Sequence, residues 1–365
     1  MKIIDHNIKN FRNIKEISFS PCEDINVIYG ENGQGKTNII ESIWLFTGCN
    51  SFRTRKNAVL IKDDEKSSEI NMDFFAFGRE QNVKLEIGEK KEVYINEIKK
   101  DSHRRLLGEF QAVVFSPSFL SVIKDGPSEK RKFIDIAISL LKPNYAAVLS
   151  NYNKAVMQRN ALLKKINDGE TKEDFLFAFD ESVARYGGRI IKYRLDYIEK
   201  LKQYTADIYA GISGGRENFE LSYLNSVKEE GQTSKEWSQV LYDSLLKNRK
   251  RDIFRCMTMT GPHKDDIEIE LNKKSARIYG SQGQQRSCAL SLKIAEGFII
   301  REISGEQPVA LLDDVMSELD DGRQELLLER LGKRQVFITC CDPSQLLRLQ
   351  KGKAFEMTDG SINEI

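Results

Sequence analysis

Apolar and polar positions alternate over most of the first 115 or so residues. The runs "ISFS", "NVIYG", "EINMDFFAFG", "VKLEIG", "EVYINEI" and "QAVVFS" are short, rich in β-branched and aromatic residues, and separated by charged or glycine-containing turns, which predicts strands. Only the segment after Lys36 carries its apolar residues, Ile39, Ile40, Ile43, Leu45 and Phe46, at helical spacing. From Ser128 to Ile212 the period is helical, as in "RKFIDIAISLL", "NYNKAVMQRNALLKKI" and "RIIKYRLDYIEKLKQYTADIYAGI". "GISGG" breaks that run, "NFELSYL" reads as a strand, and "SKEWSQVLYDSLLKNRKRDIFRC" as one more helix. Beyond Met257 the pattern is α/β again, with "DIEIELN", a helix from about Gln284 to Ile303, then "PVALLDD" and "RQVFITC". No internal repeat or low-complexity segment interrupts it. The expected organisation is an α/β head split by a mainly helical insert: an N-terminal lobe over 1–120, an inserted helical arm domain over 121–234 and a C-terminal lobe over 235–365.

Composition narrows this picture only a little. With 365 residues the chain is long enough for a full α/β core and a second domain. The 56 Lys and Arg nearly balance the 55 Asp and Glu, which excludes a globally basic protein that coats nucleic acid but leaves room for a local basic patch. Cys22, Cys49, Cys256, Cys288, Cys340 and Cys341 show neither C-x-x-C spacing nor an extracellular framework and read as reduced thiols. Asp5 and His6 break the apolar run at the start, and no stretch approaches 18 uncharged apolar residues, so neither signal peptide nor membrane span is expected and the protein is placed in the cytoplasm. His6, His103 and His263 have no partners at metal-ligand spacing, and a zinc site is not expected.

Candidate chemistry begins at "VIYGENGQGKTNIIESIW", residues 27 to 44. Gly30, Gly35, Lys36 and Thr37 fit G-x-x-x-x-G-K-[ST]: the glycines let backbone N–H groups close round phosphates, Lys36 reaches the β/γ-phosphates, and Thr37 holds Mg²⁺. A buried strand precedes the loop and a helix follows it, so phosphate would sit on a helix N-terminus. Gly30, Glu31, Asn32, Gly33, Gln34, Gly35, Lys36, Thr37 and Asn38 are therefore the expected ATP-binding segment. Far along the chain, Val309 to Leu312 form a buried parallel-strand run that ends in Asp313 and Asp314. Asp313 is expected to hold Mg²⁺ through water and Asp314 to orient or deprotonate the attacking water, which with Lys36 makes three candidate catalytic residues. Two acidic residues after a strand also serve as a turn or a helix cap. Roughly 275 residues separate the two elements, far more than one βαβ unit spans, which calls for a large insertion within the ATPase fold.

A second helix start lies in "YGSQGQQRSCALSLKIAEG", where Ser281, Gly283 and Gln284 precede the "LLDD" strand. One triphosphate does not need two helix ends. Two chains facing head to tail would use both, each P-loop holding ATP and the partner's Ser281 and Gly283 capping its γ-phosphate. A polar turn capped by Ser281 is the other reading.

Taken together, "NFRN" (10 to 13), "GENGQGKTN" (30 to 38), "GPHKDD" (261 to 266), "GSQGQQR" (280 to 286) and "LLDDVMSELD" (311 to 320) resemble, in order and from end to end, the RecF family of bacterial recombination and replication-repair ATPases. The resemblance implies an ABC/SMC-type P-loop ATPase head, a mixed sheet with helices, carrying an inserted mainly helical arm. It also implies an ATP-dependent homodimer that binds gapped or junction DNA, hydrolyses ATP slowly as a switch, and helps RecO and RecR load RecA. By position it makes Ser281 to Arg286 the signature and Ser317 to Asp320 a loop across the dimer seam. Two departures from ABC-type ATPases suit a slow switch: Asp314 stands where a Glu is usual, and "VFITCCDP" offers Thr339 and Cys340 where a His often follows the next strand. Gln111 is the nearest candidate for a lid glutamine. Arg53, Arg55 and Lys56 in "GCNSFRTRKN" form a loop beside the P-loop helix that could meet a duplex backbone, and SMC-like heads place an arginine similarly; a solvated basic loop is the alternative. Arg104 and Arg105, Lys130 to Lys132, and Lys247 to Arg251 read singly as ordinary charged faces, though together they could line a groove. A rival reading is the ATPase subunit of another cytoplasmic or transport machine.

Overall fold

The six runs read as strands become β2 (Ile14–Phe19), β3 (Ile25–Tyr29), β4 (Ser68–Ala76), β5 (Arg79–Ile87), β6 (Lys91–Ile95) and β8 (Ala112–Phe115), joined by two strands outside those runs, β1 (Lys2–Phe11) and β7 (Ile98–Lys100), and by the helix α1 (Lys36–Leu45). The computed structural model describes residues 1–54, 56–227, 229, 231–342 and 352–365. It divides into two units, Met1–Leu120 with Ala289–Ile365, and Ser121–Cys288. In the first unit, strands in the order β2-β1-β4-β5-β6-β7 form an antiparallel sheet. Along β4, Ile70, Met72 and Phe74 are buried while Glu69, Asn71 and Asp73 are not, the period-2 pattern of a sheet with one covered face.

The second unit holds α2 (Ser121–Lys124), α3 (Pro127–Leu141), α4 (Pro143–Asn167), α5 (Leu176–Ser213), β9 (Phe219–Leu224), α6 (Ser234–Arg255), β10 (Asp266–Leu271), β11 (Lys274–Ser275), α7 (Ala276–Tyr279) and the start of α8 (Gln282–Ser304). Helix α5 runs for 38 residues and stops where Gly214 turns left-handed at φ 64°. Helix α6 opens on a capping box, with the Thr233 hydroxyl accepting from Glu236 N–H and the Glu236 carboxylate answering at the Thr233 amide. β9, β10 and β11 pair antiparallel. Because α6 packs on α5 and β10 pairs with β9, residues 235–288 fall in this unit, whereas the sequence reading places them in the C-terminal lobe that it begins at 235.

Two features hold the unit together. Arg159, fully buried on α4, donates to Asp180 of α5 at 2.6 Å, to Asp252 of α6 at 2.7 Å and to Thr258 at 2.8 Å, so three helices share one guanidinium. The "GPHKDD" stretch is a similar hub: His263 lies 2.6 Å from the Tyr152 hydroxyl, Arg194 donates to the Pro262 carbonyl at 2.7 Å, and Asp265 accepts from Tyr223 and from Ser226 N–H. The helices also touch at Gly188, where a Cβ would stand 2.4 Å from Ser238 N and 2.7 Å from its Cα. Gly188→Ala is therefore expected to cost about 2 kcal/mol in urea unfolding followed by circular dichroism. Gly126→Ala, with nothing within 4 Å, loses only the N-cap preference for glycine and should cost less than about 1 kcal/mol. Equal stabilities for the two variants would contradict this account of the α5–α6 contact.

After α8 the chain returns to the first unit with β12 (Val309–Asp313), α9 (Asp321–Leu331), β13 (Val336–Cys340), β14 (Gly352–Thr358) and β15 (Ser361–Glu364). A second six-stranded sheet forms in the order β15-β14-β3-β13-β12-β8, parallel except for β15. Every residue of β8, β12 and β13 is buried, as expected of parallel strands covered on both faces. This order sets β3 beside β13 and β13 beside β12, so the loops after β3, β12 and β13 open at one edge of the sheet.

Candidate functional site

The loop between β3 and α1 needs its glycines for two different reasons. At Gly30, φ is 150° and a Cβ would stand 2.4 Å from the Met357 carbonyl oxygen, so only a residue without one lets β14 lie this close. Gly35 takes φ 110° to turn the chain into the helix, and a Cβ there would stand 2.8 Å from Asn13 Oδ1. The loop is thereby bent round on itself, with the N-terminus of α1, where Gly35 has no side chain to cap it, at its end. Lys36 is buried, and its ammonium donates to the Gly30 carbonyl at 2.6 Å and the Glu31 carbonyl at 2.8 Å. Its charge is thus fixed inside the curve of the loop.

Two strands contribute the acidic half. Asp313 ends β12 directly opposite Thr339 of β13. Its Oδ1 accepts the Thr37 hydroxyl at 2.8 Å and the Thr339 hydroxyl at 3.0 Å. Burial pushes the Asp313 carboxyl above the ordinary range, partly opposed by those two hydrogen bonds. A costly buried carboxylate beside a hydroxyl is a pair of hard oxygen donors, the chemistry that suits Mg²⁺. Thr339 serves both acids, since its Oγ1 also accepts the Asp314 N–H at 2.9 Å. Asp314 itself takes φ 55°, a left-handed conformation that Asp tolerates and that bends the chain sharply at the strand end. Downstream, the Ser317 hydroxyl donates to the Asp314 carbonyl at 3.0 Å, and Asp320 caps α9 by accepting the Arg323 N–H.

A ring of residues outside the loop motif holds it in place. Asn13 donates to the Gly33 carbonyl at 3.1 Å and accepts from Asn38 at 2.7 Å, which gives the last residue of "NFRN" a task that its spacing did not reveal. Arg12 grips the fully buried Glu41 of α1 with both ends of its guanidinium, at 3.0 and 2.7 Å. Gln34 accepts the Asp359 N–H at 2.6 Å. Cys341 donates to Asn32 Oδ1 at 3.1 Å and lies 3.8 Å from the Lys36 ammonium. At the end of β13, then, Thr339 faces the acids and Cys340 is buried with its thiol pushed up to about 11 by desolvation, while Cys341, just past the strand, faces the loop.

Other expected residues are placed differently. Gln111 precedes β8 and accepts the Val309 N–H through its carbonyl, so it lies at the opposite end of the parallel strands from Asp313, about 13 Å away along β12. That position does not serve a lid glutamine. Arg53 is exposed and donates through one guanidinium nitrogen to Asn38 at 2.7 Å and Glu41 at 3.3 Å. Arg55 lies outside the described residues, and Lys56 is exposed. Several charges of the other basic clusters are engaged in place: Arg105 with Asp101, Lys130 with Asp266 and the Ile267 carbonyl, Lys247 with Glu229, and Arg249 with Asp180. The histidines stand apart, His6 on Ser42, His103 on the Leu45 carbonyl and His263 between Tyr152 and the Thr258 carbonyl.

In the second unit, Ser281 is exposed at the start of α8. Its hydroxyl accepts the Gln284 N–H at 3.2 Å while the Gln284 side-chain oxygen accepts the Ser281 N–H at 2.7 Å, a reciprocal cap. The hydroxyl proton of Ser281 is left to donate elsewhere. Gln284 is thus engaged with its own turn.

A family model described as the RecF/RecN/SMC N terminal domain matches residues 2–363. The chain is 41% identical over 338 residues to the DNA replication and repair protein RecF of Acetivibrio thermocellus, covering 92% of each protein. A solved structure of the recombination mediator protein RecF-ATPrS in the RecFOR pathway is 39% identical and superposes with a TM-score of 0.93 over 100% of this chain and 98% of that one. An Smc head domain with an extended coiled coil from Pyrococcus furiosus, solved with the C-terminal domain of ScpA, is 17% identical at a TM-score of 0.56, covers 100% of this chain and 96% of its own, and shares the fold.

Proposed function

This chain belongs to the RecF family, and from that membership we propose that it is an ATP-dependent DNA-binding protein of recombinational repair and replication-fork maintenance. The observation that carries the proposal is the meeting of Lys36, Thr37 and Asp313 at one sheet edge, with the Thr37 hydroxyl on Asp313 at 2.8 Å. The amides from Gly33 to Thr37 and the Lys36 ammonium would hold the β- and γ-phosphates of ATP. Thr37 and Asp313 would hold Mg²⁺, which when bound supplies positive charge to the phosphate oxygens. Asp314 then orients the attacking water and takes its proton. Its side chain is one methylene shorter than the usual Glu, which suits slow turnover to ADP and phosphate.

ATP loading drives two chains into a head-to-tail dimer on duplex, gapped or junction DNA, with Ser281 and Gly283 of each completing the partner's site. Hydrolysis releases the dimer. Partnership with RecR and RecO in loading RecA, and a cytoplasmic location, belong to the same proposal, supported by the RecFOR pathway named for a similar solved structure; among the described residues no helix is long and apolar enough to cross a membrane. DNA contact is to phosphate and weakly sequence-specific. In the P-loop-proximal loop it falls to Arg53, Arg55 and Lys56.

Asp314→Asn tests the scheme, because asparagine accepts φ 55° as readily as aspartate and the fold should survive. ATP affinity is expected to stay parental and hydrolysis to fall by about a hundredfold. In light scattering with ATP and duplex DNA, the variant is expected to remain dimeric on DNA while the parental chain leaves as ATP is consumed. Hydrolysis at the parental rate would remove Asp314 from the mechanism.

A further inference from the structure

Gln284 is held at both ends of its amide. Its oxygen accepts the Ser281 N–H, and its Nε2 donates to Glu217 Oε1. The other Glu217 oxygen accepts the hydroxyl of Tyr209, which is buried near the C-terminal end of α5. The hydrogen bonds from Tyr209 and Gln284 hold the Glu217 carboxyl below the ordinary range, so it is an ionised acceptor at neutral pH. Gln285 fixes the approach to the same turn from the other side, donating to the carbonyls of Ala276 and Arg277 at 3.2 Å each. All these residues lie in the second unit. A continuous chain therefore runs from the end of the 38-residue helix to the exposed serine, Tyr209 to Glu217 to Gln284 to Ser281.

We infer that Glu217, in the corner between α5 and β9, is a positioning residue for the Ser281 turn, acting through Gln284 and tying that turn to the end of α5. A glutamine side chain free at Nε2 has rotamers that abandon the Ser281 amide. Anchored by a charge-assisted hydrogen bond, it keeps the reciprocal cap closed and the Ser281 hydroxyl aimed. The functional consequence rests on the proposed reading of Ser281 as facing the partner's nucleotide. The geometric one does not.

Hydrogen exchange at the Ser281 and Gln284 amides tests the geometry on the full chain without nucleotide. Glu217→Ala is expected to speed exchange there about tenfold, as loss of a helix cap does, and to leave the β9–β10 amides unchanged. Glu217→Gln keeps an acceptor for Gln284 and should stay within about twofold of parental. Gln284→Ala should match Glu217→Ala, and the double variant should exchange no faster than Gln284→Ala alone, because the two residues act in series. Unchanged exchange in Glu217→Ala, additive effects in the double variant, or equal loosening of β9–β10 would each overturn the inference. In ATP, Glu217→Ala is expected to weaken self-association about tenfold with ATP affinity of the monomer intact. If exchange responds but the parental chain never associates in ATP, the positioning role stands and the head-to-tail reading falls. If the parental chain associates and Glu217→Ala associates equally well, the functional half is overturned.

Discussion

Replacing Lys36 by alanine is expected to weaken ATP binding at least a hundredfold and to remove ATP-dependent self-association with it. The ammonium is buried and held at 2.6 and 2.8 Å by two carbonyls of its own loop, so it is in place before phosphate arrives. Two charge-assisted hydrogen bonds to phosphate oxygens at about 1.5 kcal/mol each amount to about 3 kcal/mol, or roughly two decades of affinity. Lys36→Arg should not restore it, because the forked guanidinium is larger and cannot use the same two carbonyls in the same space. Titration with a fluorescent ATP analogue measures the loss. Light scattering at saturating ATP then asks whether dimerisation survives; a variant that associates normally would remove the phosphate loop from the control of assembly. Unfolding in urea without nucleotide should shift by no more than about 1 kcal/mol, which separates lost binding from lost fold.

Ser281→Arg is expected to act on the other half of the same composite site. The substitution lies in the second unit and leaves the P-loop, α1 and Asp313 untouched, so the monomer should bind ATP with parental affinity. Arginine cannot form the reciprocal cap with Gln284 and places bulk at the turn, so self-association in ATP should fall by at least about tenfold. DNA-stimulated hydrolysis and ATP-dependent retention on DNA should fall with it. The deciding sample mixes Ser281→Arg with Lys36→Ala. In a head-to-tail dimer of the two, one composite site combines the intact P-loop of the first with the intact Ser281 turn of the second, while the other site carries both defects. ATP-dependent association in the mixture, absent from either variant alone, supports the arrangement. No association at any ATP concentration, with both variants folded, would leave Ser281 as a helix cap.

The phosphate loop was legible because its chemistry is local. Glycines that turn left-handed at Gly33 and Gly35, a lysine and a hydroxyl at fixed offsets, and a helix start all lie within nine residues, from Gly30 to Asn38. The buried run before Asp313 was legible for the same reason, since four apolar residues in a row suit a parallel strand covered on both faces. The second boundary of the helical unit was not. Texture changes at Met257, but α6 and β10 pack on α5 and β9, and such packing is a property of surfaces that sequence order does not rank.

Period and spacing alone marked out many of the strands and helices, though not β1, β14, β15 or α9, together with the glycine loop before α1 and an insertion between it and the acidic strand. Those are statements about backbone conformation and burial within one element, and the chain carries them residue by residue. Tertiary structure decided everything that depends on strand order and register. Thr37 reaches Asp313 across 276 residues because β13 lies between β3 and β12. Thr339 brackets the two acids because it stands opposite Asp313 in a parallel pair, and Cys341 faces the loop because β13 has ended one residue earlier. Gln111 fails as a lid because the same parallel register puts it at the wrong end of β8. A side-chain hydrogen bond reaches only about 3 Å, so a single step of register makes or breaks it, and no local pattern specifies that step between elements hundreds of residues apart.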